Sequence, residues 1–389
     1  MNRRTPKPGP ALLRHLHARQ VLTALQHHGP LSRAEITRQT GISGPTVTRT
    51  VSALIDANLL EEGEFQQPAL GRPGKVVRLA STAVSVLGLV ISPHGWELAR
   101  AGLDGEVPGE VKHFPMPADY PELVQAIAAQ AKQITQESTT SVLGMGISIP
   151  GLLNRREQRT IVSPNLHLTD GQRLGEDLRE ALSLDTVMFQ ETHALCLAER
   201  TYGAAKGVDD FAMVDISEGL GLGVMNRGQL LEGHSGLAGE FGHLTVELEG
   251  LPCGCGNRGC LETVATDMAL TNAVERRFGK RLSIEEICEQ SWEGRLQIPD
   301  ELERVLQYLA VGLAGVINIF NPSKVFLYGK FLDAGPDLFA RLLELTRGRA
   351  LAPSFADCEI IRARGNKRLG AIAGVIDWLT GAFNGDRGQ

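Results

Sequence analysis

The sequence predicts an α/β protein preceded by a small helical module, and three observations carry that prediction. From about residue 84 onward, apolar strand-like runs (VSVLGLVIS, SVLGMGISIP, DTVMFQ, FAMVDIS, KVFLYG) alternate with helical stretches such as Pro121–Gln136, Arg179–Leu184 and Ala194–Tyr202. Before them, three amphipathic segments follow one another within the first sixty residues, separated by Gly and Pro. Charge divides along the same line: the first eighty residues hold 11 Lys and Arg against 5 Asp and Glu, and the remainder holds 28 against 40. A basic head on an acidic body implies that the head alone meets a polyanion.

Each element of the head has a local cause. Leu12–His28 carries apolar residues at Leu12, Leu16, Val21, Leu22 and Leu25 and ends at Gly29-Pro30. Ser32 with Glu35 three residues on forms a capping box for a second helix that stops at Thr40-Gly41. A third helix starts near Ser43 or Gly44, with Pro45 in its first turn, where a missing N–H costs nothing. Its inner stripe is Val47, Val51 and Leu54, which turns Pro45, Thr46, Arg49 and Ser52 outward. Leu59–Gln67 and Lys75–Ala80 read as two strands around the tip PALGRPG. Together these make a winged helix-turn-helix over residues 1–80. The third helix is expected in the major groove, with Thr46 and Arg49 toward base edges. Thr48 or Thr50 would serve the backbone, Ser43 at the helix start joins the DNA-binding set, and Arg72 and Lys75 on the wing would reach phosphate or the minor groove. A single unit reads few base pairs, so a homodimer on double-stranded DNA with a palindromic operator is expected; the sequence leaves open whether dimers pair into tetramers.

At 389 residues and 42% hydrophobic content, the chain has core enough for two or three domains. No run approaches the roughly 20 apolar residues of a spanning helix, and no apolar segment follows the basic N-terminus, so a cytoplasmic protein without membrane contact is expected. In a reducing compartment, clustered cysteines favour metal over disulfide. His243, then nine residues, Cys253-x-Cys255, four residues and Cys260 offer one nitrogen and three sulfurs, a closed set suited to tetrahedral, structural Zn2+. Cys196, Cys288 and Cys358 are scattered and read as packing residues.

Several stretches of the body resemble the ROK family of repressors, open reading frames and sugar kinases: GISIPG (Gly146–Gly151), SPNL (Ser163–Leu166), GLGLG (Gly219–Gly223), AGEFGH (Ala238–His243), CGCGNRGCLE (Cys253–Glu262) and GAIAG (Gly370–Gly374). The long cysteine motif is specific; the short ones carry weight only together. The resemblance implies a two-lobed, actin-like (ribonuclease-H-like) sugar-binding body. A first lobe at 81–192 would be joined by a C-terminal helix at about 374–389 packing back, and a second lobe at 193–373 would hold the zinc site and a dimerisation surface. It implies the same four zinc ligands and a sugar site of Asn165, Glu191, Glu240, His243 and Glu262. Side chains fixed by a metal scaffold suit polyols, whose hydroxyls both give and take hydrogen bonds.

The chain departs from the family's kinases where phosphate is handled. The early Asp-x-Gly-Gly-Thr turn is Val90-Ile91-Ser92-Pro93-His94, and the Gly-Thr-Gly loop is Ser217-Glu218-Gly219. The Asn-Asp-Ala of the catalytic base is Gln190-Glu191-Thr192, and a Gly-Gly near the adenosine site is Gly329-Lys330. Loss of N–H donors and gain of a carboxylate both oppose phosphate binding. The expected function is therefore a sugar-responsive DNA-binding regulator without catalytic residues, most simply a repressor of carbohydrate genes released by a sugar or sugar phosphate. The alternatives are an ATP-dependent sugar kinase with an appended DNA-binding domain, and a regulator moved by a protein partner.

Overall fold

The computed structural model of the chain describes residues 10–66, 74–109 and 111–379. In the head, α1 (Pro10–His28) leads into a two-residue strand β1 (Leu31–Ser32), then α2 (Arg33–Thr40) and α3 (Gly44–Asp56). The Ser32–Glu35 capping box forms as the sequence predicts, and Gly41 closes α2 in the left-handed conformation. Ser43 stands at the N-cap of α3 without bonding a helix N–H; its hydroxyl lies 2.9 Å from that of Thr46 instead. Val47, Val51 and Leu54 are the buried stripe of α3. The hairpin strands β2 (Leu60–Gln66) and β3 (Gly74–Leu79) make a three-stranded sheet in the order β1-β3-β2. The short β1 is an addition that no two-residue pattern could announce. The wing tip, with Arg72, lies outside the described residues.

The body follows as β4 (Val84–Ser92), β5 (Gly95–Ala101), β6 (Lys112–Phe114), α4 (Tyr120–Glu137) and β7 (Ser141–Ile149). A hairpin, β8 (Leu152–Asn154) with β9 (Arg159–Val162), precedes α5 (Leu174–Leu182), β10 (Thr186–Gln190) and α6 (Glu191–Thr201). Then come β11 (Phe211–Asp215), β12 (Gly221–Asn226) and β13 (Gln229–Leu230), followed by α7 (Asp267–Phe278), α8 (Ile284–Trp292) and α9 (Pro299–Phe320). The last elements are β14 (Lys324–Tyr328), α10 (Leu338–Arg347), α11 (Ala352–Ala356), β15 (Glu359–Arg362) and α12 (Lys367–Leu379).

Two five-stranded sheets share one topology. The first runs β10-β7-β4-β5-β6 and the second β13-β12-β11-β14-β15. In each, the opening strand pairs antiparallel with the second and parallel with the fourth. This duplication is the signature of the actin-like class.

Contacts divide the chain into one unit of Met1–Ser148, Leu174–Met188 and Ala371–Gln389 and another of Ile149–Arg173 and Phe189–Gly370. The sequence boundaries at 81–192 and 193–373 differ from this because the chain passes between units in mid-course. The β8–β9 hairpin and all of α6 belong with the second unit, and the stretch joining the first begins at Ala371 rather than about 374. Helix α9 is by length and composition apolar enough to cross a bilayer, which the sequence reading passed over. Its Leu302, Val305, Leu306, Leu309, Leu313 and Ile317 are instead buried in the core of the second unit, against β11, β12 and β14.

Candidate functional sites

The outer face of α3 presents what a DNA-reading helix needs. Ser43, Thr48 and Arg49 are exposed, and Thr46 and Thr50 are partly so, above a wholly buried Val47 and Val51. Lys75 is placed differently from its expected phosphate-reaching role. It stands beside Glu62, 2.7 Å from Nζ to carboxylate, and the same carboxylate takes Arg33 at 2.8 Å. Half-exposed and screened, such a pair holds weakly, so Lys75 can exchange Glu62 for phosphate, but in this structure it braces β3 against β2.

In the second unit, a short 3-10 turn (Phe241–His243) ends in His243, and a knuckle carries the cysteines. The knuckle is closed by backbone bonds from Cys253 N to Asn257 O (2.9 Å) and Gly256 N to Cys253 O (3.0 Å). Bridges Thr245–Cys260 and Pro252–Arg258 pin its two sides. Gly259 sits at φ +68°, and a Cβ there would lie 1.6 Å from the Glu247 carbonyl, so only glycine lets the strand turn back to Cys260.

One ligand atom from each of His243, Cys253, Cys255 and Cys260 falls within 4.8 Å of the others. The Cys253 Sγ–His243 Nδ1 separation is 3.6 Å and Cys255 Sγ–Cys260 Sγ is 3.8 Å. Zn–S of about 2.3 Å and Zn–N of about 2.0 Å in a tetrahedron set edges of roughly 3.5–3.8 Å. Burial and the neighbouring Glu262 carboxylate push the Cys253 thiol far up, and burial also raises Cys260. Thiols crowded in this way ionise together only around a cation. The donor set thus fits a zinc ion.

The resemblance-derived sugar residues gather beside this cluster. His243 Nε2 lies 3.6 Å from Glu240 Oε2, and His243 Nδ1 lies 3.6 Å from Glu262 Oε1. Glu262 is almost fully buried, its Oε1 2.8 Å from Cys253 Sγ. A Cβ on Gly219 would meet Glu262 Oε2 at 3.5 Å and Asn165 Nδ2 at 3.6 Å, so these two side chains flank the glycine loop. Gln190, unremarked in the sequence except as a departure from the kinase motif, donates Nε2 to Glu240 Oε1 at 2.8 Å. Its own Oε1 is buried with no partner among the described residues. Burial raises the Glu240 carboxyl above its ordinary range. The result is an arc of acceptors and donors around Gly219.

Glu191, the first residue of α6, meets a cation that sequence reasoning missed. Lys367 Nζ lies 2.6 Å from Glu191 Oε1, 2.9 Å from Asp215 Oδ2 and 3.3 Å from Ser217 Oγ. Burial pushes the Glu191 carboxyl up to about 7 against the pull of Lys367, while Asp215 and Glu191 hold Lys367 well above an ordinary lysine. The glycines after this loop serve packing: a Cβ on Gly221 would lie 2.5 Å from Thr192 Cγ2, and one on Gly223 2.6 Å from Cys196 Sγ. They let α6 lie close on β12.

The chain belongs to the ROK family, whose model matches residues 88–381. A MarR-family model matches residues 15–67. Among curated proteins, the chain is 29% identical to the xylose repressor of Bacillus subtilis over 81% of its own length and 82% of the relative's. It is 26% identical to the transcriptional dual regulator NagC of Escherichia coli over 93% and 92%. A solved ROK transcriptional regulator, described as a homolog of E. coli MLC, superposes with TM-score 0.79 at 25% identity, covering 95% of this chain and 97% of that one. The body also shares its fold with a ROK glucokinase from Streptomyces griseus, with TM-score 0.63 and 22% identity over 74% of this chain and 97% of that one.

Proposed function

We propose that the chain is a sugar-responsive transcriptional repressor that binds a palindromic operator as a homodimer and is released by a sugar held in the second unit. The observation that carries this is the conjunction of an exposed, polar α3 face with the hydroxyl-matched arc of Asn165, Gln190, Glu240, His243 and Glu262. Relatives matched over more than four fifths of their length are named as a xylose repressor and a transcriptional dual regulator. Structural zinc at His243, Cys253, Cys255 and Cys260 fixes the two segments bearing Glu240 and Glu262. Sugar weakens operator binding by no more than its preference for the DNA-free state.

A kinase reading finds no support in the chain's own turns. Ser92 and Gly95 are paired across a two-residue turn, the His94 N–H is taken by Ser92 Oγ at 3.3 Å, and Pro93 has no N–H. No amide there is left to cradle a phosphate. An operator-binding role supports a cytoplasmic protein.

The test is fluorescence anisotropy of the full-length protein on DNA from upstream of its own gene, at fixed salt, titrated with free and phosphorylated sugars. Release by one sugar at micromolar to millimolar concentration is expected. Tight operator binding indifferent to every sugar would point to a protein partner as the switch. Arg49→Ala should lower operator affinity about ten- to hundredfold and leave nonspecific binding nearly unchanged. Unchanged specificity would remove α3 from the groove.

A further inference from the structure

Nothing in the sequence decides between a free sugar and a sugar phosphate, because no cation can be placed near the site by pattern. The structure places one, and it is already occupied. An ammonium has three N–H donors, and Lys367 is met by three acceptors, Glu191 Oε1, Asp215 Oδ2 and Ser217 Oγ, at 2.6, 2.9 and 3.3 Å. The Tyr328 ring, 5.7 Å away, covers another side. Nor is the Ser217 amide available. Ser217 N donates to Asp215 Oδ1 at 3.0 Å, and Ser217 Oγ donates to the same oxygen at 2.5 Å. Glu218 comes next in the chain and adds a further carboxylate.

We propose that this Lys367–Glu191–Asp215–Ser217 network closes the phosphate end of the sugar site, so that the effector is an unphosphorylated sugar. The inference rests on the sugar-responsive reading above. A phosphate ester brought against Glu191 meets Glu191 and Asp215 together with Lys367, whose donors are spent. To reach Lys367 it must displace a carboxylate that would then stand buried and unpaired. A free hydroxyl faces no such cost. Lys367 holds Glu191 by Oε1, which leaves Oε2 to accept a hydrogen bond from a sugar hydroxyl. Lys367 is thus a positioning residue that sets specificity without touching the sugar. Phosphate discrimination in this chain is exclusion by an internal ion network rather than mere loss of a cradle.

The experiment is isothermal titration calorimetry of the full-length protein with matched pairs: D-glucose and glucose 6-phosphate, N-acetylglucosamine and its 6-phosphate, and D-xylose alongside D-xylose 5-phosphate. One free sugar should bind, with its phosphate at least a hundredfold weaker. A phosphate that binds as tightly as its parent or tighter overturns the inference and leaves the sugar-responsive reading intact. Binding by no member of any pair overturns that reading, and the inference falls with it.

Lys367→Met would leave two buried carboxylates without a partner, so the companion variant is Asp215→Asn, which removes one carboxylate of the network and is not itself a sugar contact. The free-to-phosphate affinity ratio should narrow at least tenfold. An unchanged ratio would show that the network does not set the preference.

Discussion

The two sheets of the body are built to one plan, yet the turn after their first strand has been closed in opposite ways. In the first, β4 passes to β5 through Pro93-His94, and backbone and Ser92 hydroxyl satisfy each other. In the second, β11 passes to β12 through five residues, and side chains from distant segments do the closing: Asp215, Ser217, Lys367 and Glu191. The second strands differ as well. β5 carries Trp96, stacked on Phe114 at 4.1 Å, where β12 has Gly221 and Gly223 against α6. The difference teaches that a two-residue turn can be closed locally and cheaply, whereas a five-residue turn must satisfy its polar groups by a network of distant side chains.

The largest effect should come from the metal cluster that borders the second turn. Cys255→Ser should release zinc, measured by metal content. It should also abolish sugar response, a loss of a hundredfold or more in sugar affinity, or about 3 kcal/mol and above. The knuckle holding Cys260 also orients Glu262, which follows it by two residues. Full sugar response without metal would mean that the arc around Gly219 stands unaided.

How much of this was legible depended on sequence distance. The Ser32–Glu35 capping box, the stripe on α3 and the zinc set are local, the last lying within 18 residues, and spacing alone discloses them. The arc of Asn165, Glu240 and Glu262 was reachable only through resemblance, because isolated glutamates carry no pattern. Lys367 was invisible: it meets Glu191 across 176 positions and Ser217 across 150, and RGNKRLG has no feature that marks a buried cation. The GLGLG glycines stand out in the sequence, but their use does not; Gly221 and Gly223 serve packing.

Next in size is the packing of α6 on β12. Gly223→Val would drive a Cβ to 2.6 Å from Cys196 Sγ and 2.9 Å from the Thr192 carbonyl. Overpacking of this kind costs about 1–3 kcal/mol, more where backbone is struck. A fall of several degrees in Tm is expected, and an unchanged Tm would show that α6 has room to move. The same helix carries His193, wholly buried with neither ring nitrogen partnered among the described residues. Burial lowers its pKa to about 3. The unfolded histidine takes a proton below pH 6.5 and the folded one does not, so its stability contribution is lost as pH falls from about 6.5 toward 3. At pH 4 that loss is about 3 kcal/mol. His193→Leu should therefore blunt acid unfolding while changing stability little at pH 8, a pattern that chemical denaturation at the two pH values would read directly.

The smallest expected effect is the most telling for the comparison of turns. If the first turn is only a hairpin, its side chains are dispensable to the ligand. His94 is exposed, and its N–H bonds the Ser92 hydroxyl, a bond that any residue but proline can supply. His94→Ala should shift sugar affinity by less than about twofold, within the scatter of ordinary surface changes. Ser217→Ala in the second turn removes the hydroxyl that donates to Asp215 and accepts from Lys367, and should weaken sugar binding about fivefold or more. Calorimetry on the pair measures the asymmetry. Equal losses would mean that the first turn also contributes to sugar binding. Losses confined to Ser217→Ala would locate effector chemistry in the second unit, which carries the His/Cys cluster, the carboxylates and Lys367.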